Sequence, residues 1–157
     1  MEASEFDEIE FFRSIERSGV RALLIGRRAL VLLGLPVLTA DYDFWIDVDD
    51  IGRFNAAVEP FGLHPSRSPE DARRVGRYVL ENDEHVDVLA APSVRTVDGA
   101  VVEFEALWRT RRPLRLAGSV VISVPDIAGL ILTKRIAARP KDLEDIRLLE
   151  ALQTEVG

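Results

Sequence analysis

The stretch "IGRRALVLLGLPVLTADYDFWIDV", from Ile25 to Val48, places two carboxylates inside an otherwise apolar strand pattern. Side chains alternate along a strand, so Asp41 and Asp43 point to one face, roughly 6.6–7 Å apart along the backbone. Tyr42 and Phe44 point to the other face. Hard cations such as Mg²⁺ take oxygen ligands, usually one or two carboxylates with waters and substrate phosphates. The pattern therefore predicts that Asp41 and Asp43 are ligands for Mg²⁺ or Mn²⁺.

A third carboxylate, Asp87, lies in the later stretch "EHVDVLAA", which also has a strand pattern. Its neighbours are apolar, and a lone carboxylate on an interior strand is costly unless it is paired or bound to a metal. A third ligand on a neighbouring strand would allow a second metal ion, an arrangement that stabilises the attacking and leaving oxygens of phosphoryl transfer. We therefore expect Asp87 to be a metal ligand, and the alternative is a charge on an edge strand.

Composition limits the classes of protein to consider. The chain has 157 residues, a net charge of −7 and no cysteine, which excludes disulfides and thiolate metal sites. No apolar run reaches the roughly 18 residues that span a bilayer, so a cytoplasmic protein without a membrane partner is expected. The acidic charge argues against general nucleic-acid binding. There are two basic runs, "RTRRPLR" (Arg109 to Arg115) and "RRVGR" (with Arg73, Arg74 and Arg77). They are either a solvated loop and an exposed strand edge or a phosphate-facing rim.

Hydrophobic periodicity predicts a single domain over residues 1–157, with an α/β (α+β) fold in which helices flank a mixed β-sheet and a helical pair ends the chain. Residues 61–77 have no motif and are expected to form a polar loop. "AVVEFEAL" is predicted to be a strand, and "SVPD" a capping box with Ser123 as the cap. The last two helices are predicted at 125–139 and 141–152, with Leu143, Ile146 and Leu149 on the apolar face of the second.

The stretch from Ile25 to Val48 resembles the signature of the nucleotidyltransferase superfamily with the DNA polymerase β-type fold. In that family a strand ends in a Gly-Gly or Gly-Ser turn at a helix start, and Asp-x-Asp follows on the next strand. Gly26, the pair Asp41 and Asp43, and Asp87 take the family's positions. The resemblance implies a nucleotidyltransferase fold, an NTP substrate, Mg²⁺, and transfer of a nucleoside monophosphate to a hydroxyl with release of pyrophosphate.

The C-terminal stretch "LILTKRIAARPKDLEDIRLL", Leu130 to Leu149, resembles the second motif of the abortive-infection (AbiEii-like) toxin branch of that superfamily. The motif positions are taken by Lys134, Arg139, Lys141, Asp142 and Asp145. The resemblance implies that Lys134 acts in catalysis and that the phosphate side is formed by Gly26, Arg27, Lys134 and Asp142. It also implies a minimal relative with a cognate toxin or antitoxin as a partner.

Lys134 lies on the apolar stripe of its helix, so it either pairs with Asp142 or points into a cleft and binds triphosphate, and the two roles are compatible. Asp145 is expected to be a structural helix charge. His85 and Trp45 share the acidic faces of their strands, where His85 could border the site and Trp45 could stack a base. For both, the expected role is structural, as a partly buried strand histidine and a core tryptophan.

Arg27 departs from the family pattern, because a Gly or Ser normally follows the first glycine. The long side chain could swing outward, contact phosphate, or fill the pocket by pairing with Asp41 or Asp43. The last case would make a catalytically silent protein that binds a partner. Acceptor candidates for an active enzyme are a tRNA end, a protein hydroxyl and a small molecule such as an aminoglycoside or lincosamide. A glycosyltransferase that uses Asp-x-Asp is a third, disfavoured possibility, because its usual domain is larger than this chain.

Overall fold

The computed structural model describes residues 6–156, which form a mixed sheet flanked by helices. Seven helices and nine strands are present in this part of the chain: α1 Glu8–Ser18, β1 Ala22–Ile25, α2 Gly26–Leu32, β2 Asp41–Ile46, α3 Ile51–Val58, β3 His64–Pro65, α4 Pro69–Val75, β4 Arg77–Glu81, β5 His85–Leu89, β6 Ser93–Arg95, β7 Val101–Glu103, α5 Phe104–Arg109, β8 Arg112–Arg115, β9 Val121–Val124, α6 Ile127–Lys134 and α7 Pro140–Val156. Among these helices, none is long and apolar enough to cross a membrane.

The central sheet has the strand order β1-β2-β5-β4-β3. β2 and β5 are parallel, whereas the other neighbours are antiparallel. Two small hairpins, β6–β7 and β8–β9, lie outside this sheet. The prediction of a mixed sheet with flanking helices and a C-terminal helical pair is confirmed.

One face of the sheet carries the larger core. Tyr42 and Phe44 of β2 pack with Phe11 and Phe12 of α1 and with Phe54 of α3, and all five side chains are buried. Helix α1 is capped at both ends. The Asp7 side chain accepts a hydrogen bond from the backbone N–H of Glu10, and Gly19 ends the helix in the left-handed conformation, with φ 74°. This face fixes β2 in the register that turns its aspartates the other way.

The opposite face carries a smaller apolar cluster at one end and polar groups at the other. Leu23 and Trp45 pack there against Phe104 and Leu107. The Trp45 indole N–H donates a hydrogen bond to the carbonyl of Ala91 (2.8 Å), so this side chain belongs to the core, as expected. The aspartates of β2 lie on the same face, beyond the edge of this cluster.

Helix α7 buries a face that differs in part from the predicted one. Its buried residues are Asp142, Asp145, Ile146 and Leu149, which follow helical spacing, whereas Leu143 is 47% exposed. The predicted burial of Ile146 and Leu149 is therefore confirmed, whereas the prediction that Leu143 lies on the apolar face is wrong. Two aspartates take the inward positions because basic groups from other elements neutralise them there.

Several predicted boundaries are also wrong. Residues 69–75 form helix α4 rather than loop, started by Ser68, whose hydroxyl accepts from the N–H of Asp71, and by Pro69. "AVVEFEAL", residues 100–107, contains the whole of β7 and the first four residues of helix α5. Ser123 lies in β9, and the cap of α6 is Asp126, which accepts from the N–H of Gly129. Helices α4 and α6 start where Ser68 and Asp126 cap them, whereas the Glu103 side chain makes no capping hydrogen bond at the start of α5.

The loop between the last two helices is longer than predicted. Helix α6 ends at Lys134 rather than Arg139. Pro140 is the first residue of α7, which is a favourable position for a residue that has no N–H to donate.

Candidate active site

Gly26 lies at the bend where β1 passes into α2, and it has φ 71°. The preceding residue, Ile25, pairs with Asp43 across the antiparallel β1–β2 ladder. A Cβ atom at position 26 would lie 2.9 Å from Cβ and from Cγ of Asp43. Both the positive φ and this close approach require glycine, so the turn and the acidic strand fit together at one point.

The parallel register of β2 and β5 brings the three predicted carboxylates to one face. Asp43 is opposite Asp87, and Asp41 is opposite His85. All three aspartates line a cavity of about 430 Å³ together with Gly26 and Lys134. The structure thus brings together acids that are far apart in the sequence, beside the predicted glycine turn.

Negative charge accumulates at Asp43. Burial, and then the charges of Asp87 and Asp41, raise the pKa of this carboxyl to about 6, although Lys134 and Lys141 act in the opposite direction. A carboxylate in this environment favours either a proton or a cation. Within residues 6–156, however, no three His, Asp or Glu side chains are grouped in a geometry that could hold a metal ion as they stand.

Asp87 is engaged by a histidine on its own strand. His85 Nε2 lies 3.1 Å from Asp87 Oδ2, and His85 Nδ1 lies 3.1 Å from Glu81 Oε2. Partial burial lowers the pKa of His85, but the hydrogen bond to Glu81 and the charge and hydrogen bond of Asp87 outweigh it, so the pKa is raised overall. His85 thus borders the site and orients a carboxylate, which goes beyond the structural role expected of it.

Lys134, which ends α6, forms a buried ionic network with α7. Its Nζ lies 2.8 Å from Asp145 Oδ2 and 3.7 Å from Asp142 Oδ1. The Lys134 side chain is 7% exposed and that of Asp145 is completely buried. The expected partner was Asp142, but the closer one is Asp145, because Asp145 lies one helical turn further along the buried face of α7.

Arg27 does not pair with Asp41 or Asp43, and its contact with phosphate stays a prediction. Its guanidinium makes two hydrogen bonds to Asp145, from Nε to Oδ2 (3.1 Å) and from Nη2 to Oδ1 (3.2 Å). It still lines the cavity, but Asp145 draws it to the wall formed by α7. The proposal that Arg27 blocks the site by pairing with Asp41 or Asp43 is therefore not supported.

Asp142 lines the cavity and also organises the start of α7. Its Oδ2 accepts hydrogen bonds from the backbone N–H of Arg139 (3.0 Å) and from Arg139 Nε (2.9 Å). Burial alone would raise the pKa of Asp142, but these bonds outweigh it and the pKa is lowered. An acidic residue at the third helical position that bonds back to the cap stabilises the helix start. Any role of Asp142 in nucleotide binding stays a prediction.

No family model matches the chain, and no curated protein matches it in sequence. Among solved structures, the antibiotic-resistance factor ANT(2'')-Ia is similar to it, with a TM-score of 0.63 and 16% identity over 94% of this chain and 81% of that one. ANT(2'')-Ia has also been solved with adenylyl-2''-tobramycin. The chain has a nucleotidyltransferase fold.

Two further structures support this fold. The lincosamide antibiotic adenylyltransferase LnuA, solved with lincomycin, has a TM-score of 0.60 and 17% identity over 94% of this chain and 98% of LnuA. The nucleotidyltransferase candidate TM1012 from Thermotoga maritima has a TM-score of 0.56 and 18% identity, over 94% of this chain and 88% of TM1012. At these identities the similarity establishes the fold, and the roles of individual residues rest on the geometry described above.

Four cationic residues of the cavity were not among the predicted site residues. They are Arg67, Arg77, Arg139 and Lys141. Arg139 and Lys141 occupied motif positions in the sequence, Arg77 belonged to the basic run "RRVGR", and Arg67 fell in a region without a motif. No pattern of spacing could have placed Arg67 and Arg77 in the cavity, because they reach it only through the pairing of β3 with β4 and of β4 with β5.

Proposed function

We propose that this protein transfers a nucleoside monophosphate from an NTP to an acceptor hydroxyl and releases pyrophosphate. The observation that carries the proposal is the cavity in which Asp41, Asp43 and Asp87 lie on one face of adjacent strands, next to the Gly26 turn and to Lys134. Carboxylates supply metal ligands, and the basic groups supply charge for a triphosphate. The nucleotidyltransferase fold supports the assignment.

The donor set fits a hard divalent cation in its chemistry. Asp41, Asp43 and Asp87 would hold Mg²⁺ or Mn²⁺, because all three offer carboxylate oxygens. The raised pKa of Asp43 is the supporting observation, since it reflects burial and like charges that a cation would relieve. When bound, the ion would neutralise phosphate charge and help to position the reacting groups. Metal binding would compete with the ion pair between His85 and Asp87.

The protein's own groups divide the cavity into two sides. On the side of Gly26, which has no side chain to obstruct a phosphate, Lys134 and Lys141 neutralise charge on the departing pyrophosphate. On the other side, Asp87 is 46% exposed and accepts the proton of the attacking hydroxyl. The hydroxyl oxygen forms a bond to the α-phosphorus, the bond from that phosphorus to the bridging oxygen breaks, and pyrophosphate leaves with the electron pair.

Arg27 is compatible with this activity. Because Asp145 holds its guanidinium against α7, the carboxylates of Asp41 and Asp43 are not neutralised by it. The presence of an arginine at position 27 therefore no longer favours a catalytically silent protein. A cognate toxin or antitoxin partner and the AbiEii-like relationship stay predictions from the C-terminal motif.

The acceptor classes predicted from the sequence are a tRNA end, a protein hydroxyl and a small molecule. ANT(2'')-Ia and LnuA, whose structures contain adenylyl-2''-tobramycin and lincomycin, support the last class for proteins of this fold.

The test is transfer of label from α-labelled NTPs, with Mg²⁺ or Mn²⁺, to members of these acceptor classes. We expect the Asp43→Asn variant to lose transfer by a hundredfold or more while remaining folded. Asp49→Asn, which changes a highly exposed aspartate outside the cavity, is the matched control. Transfer that survives Asp43→Asn, or the absence of saturable metal-dependent binding of any NTP, would contradict the proposal.

A further inference from the structure

The cavity has a second basic wall, formed by β3 and β4. Arg77 is paired with Leu89 of β5, two residues beyond Asp87, and so its side chain points to the same face as the aspartates. Arg67, two residues beyond β3, lines the same cavity. Reading across the sheet, the order is Gly26 and Asp43, then Asp87, then the two arginines.

Among the residues that the structure describes, these two arginines differ from Arg73 and Arg74 in having no carboxylate partner. Arg73 and Arg74 of α4 pair with Asp49 (2.9 Å) and Asp71 (3.2 Å). In contrast, no carboxylate of residues 6–156 lies within 4.0 Å of the guanidinium nitrogens of Arg67 or Arg77. Two guanidinium groups that have no carboxylate partner among residues 6–156 therefore face one cavity in a protein whose net charge is −7.

This basic wall lies on the side of the cavity from which the acceptor would approach. In phosphoryl transfer the attacking and leaving oxygens lie roughly in line on opposite sides of the phosphorus. If pyrophosphate leaves on the side of Gly26 and Lys134, the acceptor approaches over β5 and β4. That approach passes Asp87 and ends against Arg67 and Arg77.

We propose, on the basis of the function proposed above, that the acceptor carries a phosphate group near its reacting hydroxyl and that Arg67 and Arg77 bind this phosphate. Guanidinium groups match phosphate oxygens in a bidentate geometry and keep their charge at every relevant pH. An acceptor with several ammonium groups, such as tobramycin, would be repelled by these two cations. The phosphate can come from a small phosphorylated sugar or from the last linkage of an RNA 3′ end.

The test measures binding, because the acceptor is not identified. The protein is saturated with Mg²⁺ and a non-hydrolysable NTP analogue, each of the four bases being tried. Ribose 5-phosphate, a short RNA with a free 3′ hydroxyl, and tobramycin are then titrated by calorimetry. Arg67→Gln and Arg77→Gln are compared with Arg73→Gln, a matched exposed arginine outside the cavity.

We expect the wild type to bind ribose 5-phosphate, the RNA or both, and each cavity variant to weaken that binding about tenfold to a hundredfold. Arg73→Gln should leave it unchanged, and the NTP analogue should bind all variants within threefold of wild type. The probe that binds more tightly identifies the source of the phosphate.

Three results overturn the inference alone: neither phosphorylated probe binds the NTP-loaded protein, the cavity variants bind as tightly as wild type, or tobramycin binds as tightly as the phosphorylated probes. If no NTP analogue binds in the presence of Mg²⁺, the proposed function fails, and the acceptor inference fails with it.

Discussion

Replacing Asp145 by Asn should destabilise the fold strongly, although this residue lies on a helix that the sequence marks as a charged surface. The Asp145 side chain is completely buried and serves two cations, Lys134 at 2.8 Å and Arg27 at 3.1 Å. An asparagine keeps the shape and one acceptor oxygen but removes the charge. Lys134 is then left almost without solvent and with only Asp142, at 3.7 Å, as an ionic partner.

The magnitude follows from the burial of each partner. Removing one member of a buried ion pair typically costs 3–5 kcal/mol, because an uncompensated charge remains. Arg27 is 24% exposed and can be partly solvated, and Asp142 takes over part of the interaction with Lys134, so the lower end applies. We expect the free energy of unfolding to fall by about 3 kcal/mol, or Tm by roughly 6–12 °C at about 2–4 °C per kcal/mol for a chain of this size.

Urea unfolding at pH 7.5, followed by circular dichroism, measures this loss. Glu144→Gln, one residue earlier on the exposed face of α7, is the control and should change stability by less than about 0.5 kcal/mol. In a double-mutant cycle, Lys134→Met should recover about 2 kcal/mol in the Asp145→Asn background, because it removes the stranded charge. An Asp145→Asn variant as stable as wild type, or strict additivity with Lys134→Met, would refute the buried network.

Further expectations concern the glycine turn, the central carboxylate and the start of α7. Gly26→Ala should destabilise the protein by about 1–3 kcal/mol more than Gly34→Ala, because both glycines have positive φ but only Gly26 faces Asp43; equal losses in urea would argue against that contact. Because its folded-state pKa is raised to about 6 from an ordinary value of 3.8, Asp43 lowers stability as pH rises from about 4 to 6, by up to about 3 kcal/mol at 1.36 kcal/mol per pH unit. Asp43→Asn should therefore be the more stable protein at pH 8 and equal to wild type at pH 3.5, and a pH-independent difference in unfolding free energy would contradict this cause. Asp142→Ala should lower the helix content of α7 and cost about 1–2 kcal/mol, since the N–H of Arg139 loses its acceptor; an unchanged thermal unfolding curve would show that the cap is dispensable.

The acidic face was predictable because its signals are local. Alternation along β2 and β5 orients Asp41, Asp43 and Asp87, and a glycine before a helix marks the turn that receives Asp43. The two strands needed only to be neighbours for the carboxylates to meet, and a parallel pair in an α/β fold satisfies that condition.

The buried network was not predictable in the same way. Asp145 has the spacing of an inward residue on α7, but carboxylates are rarely buried alone, so its residue type predicted a position exposed to solvent. Its burial depends on Lys134 and Arg27 arriving from two other helices, which only the tertiary structure decides. Likewise, Arg67 and Arg77 become cavity residues through the register of β3, β4 and β5.

Binding of Mn²⁺ measured by electron paramagnetic resonance, with and without an NTP analogue, tests most directly whether the three aspartates form one cation site. If Asp41, Asp43 and Asp87 act together, the wild type binds the ion, and changing any one of them to Asn weakens binding at least tenfold, whereas Asp49→Asn does not. Binding that is absent from the wild type, or equally strong in all four variants, would contradict the shared site.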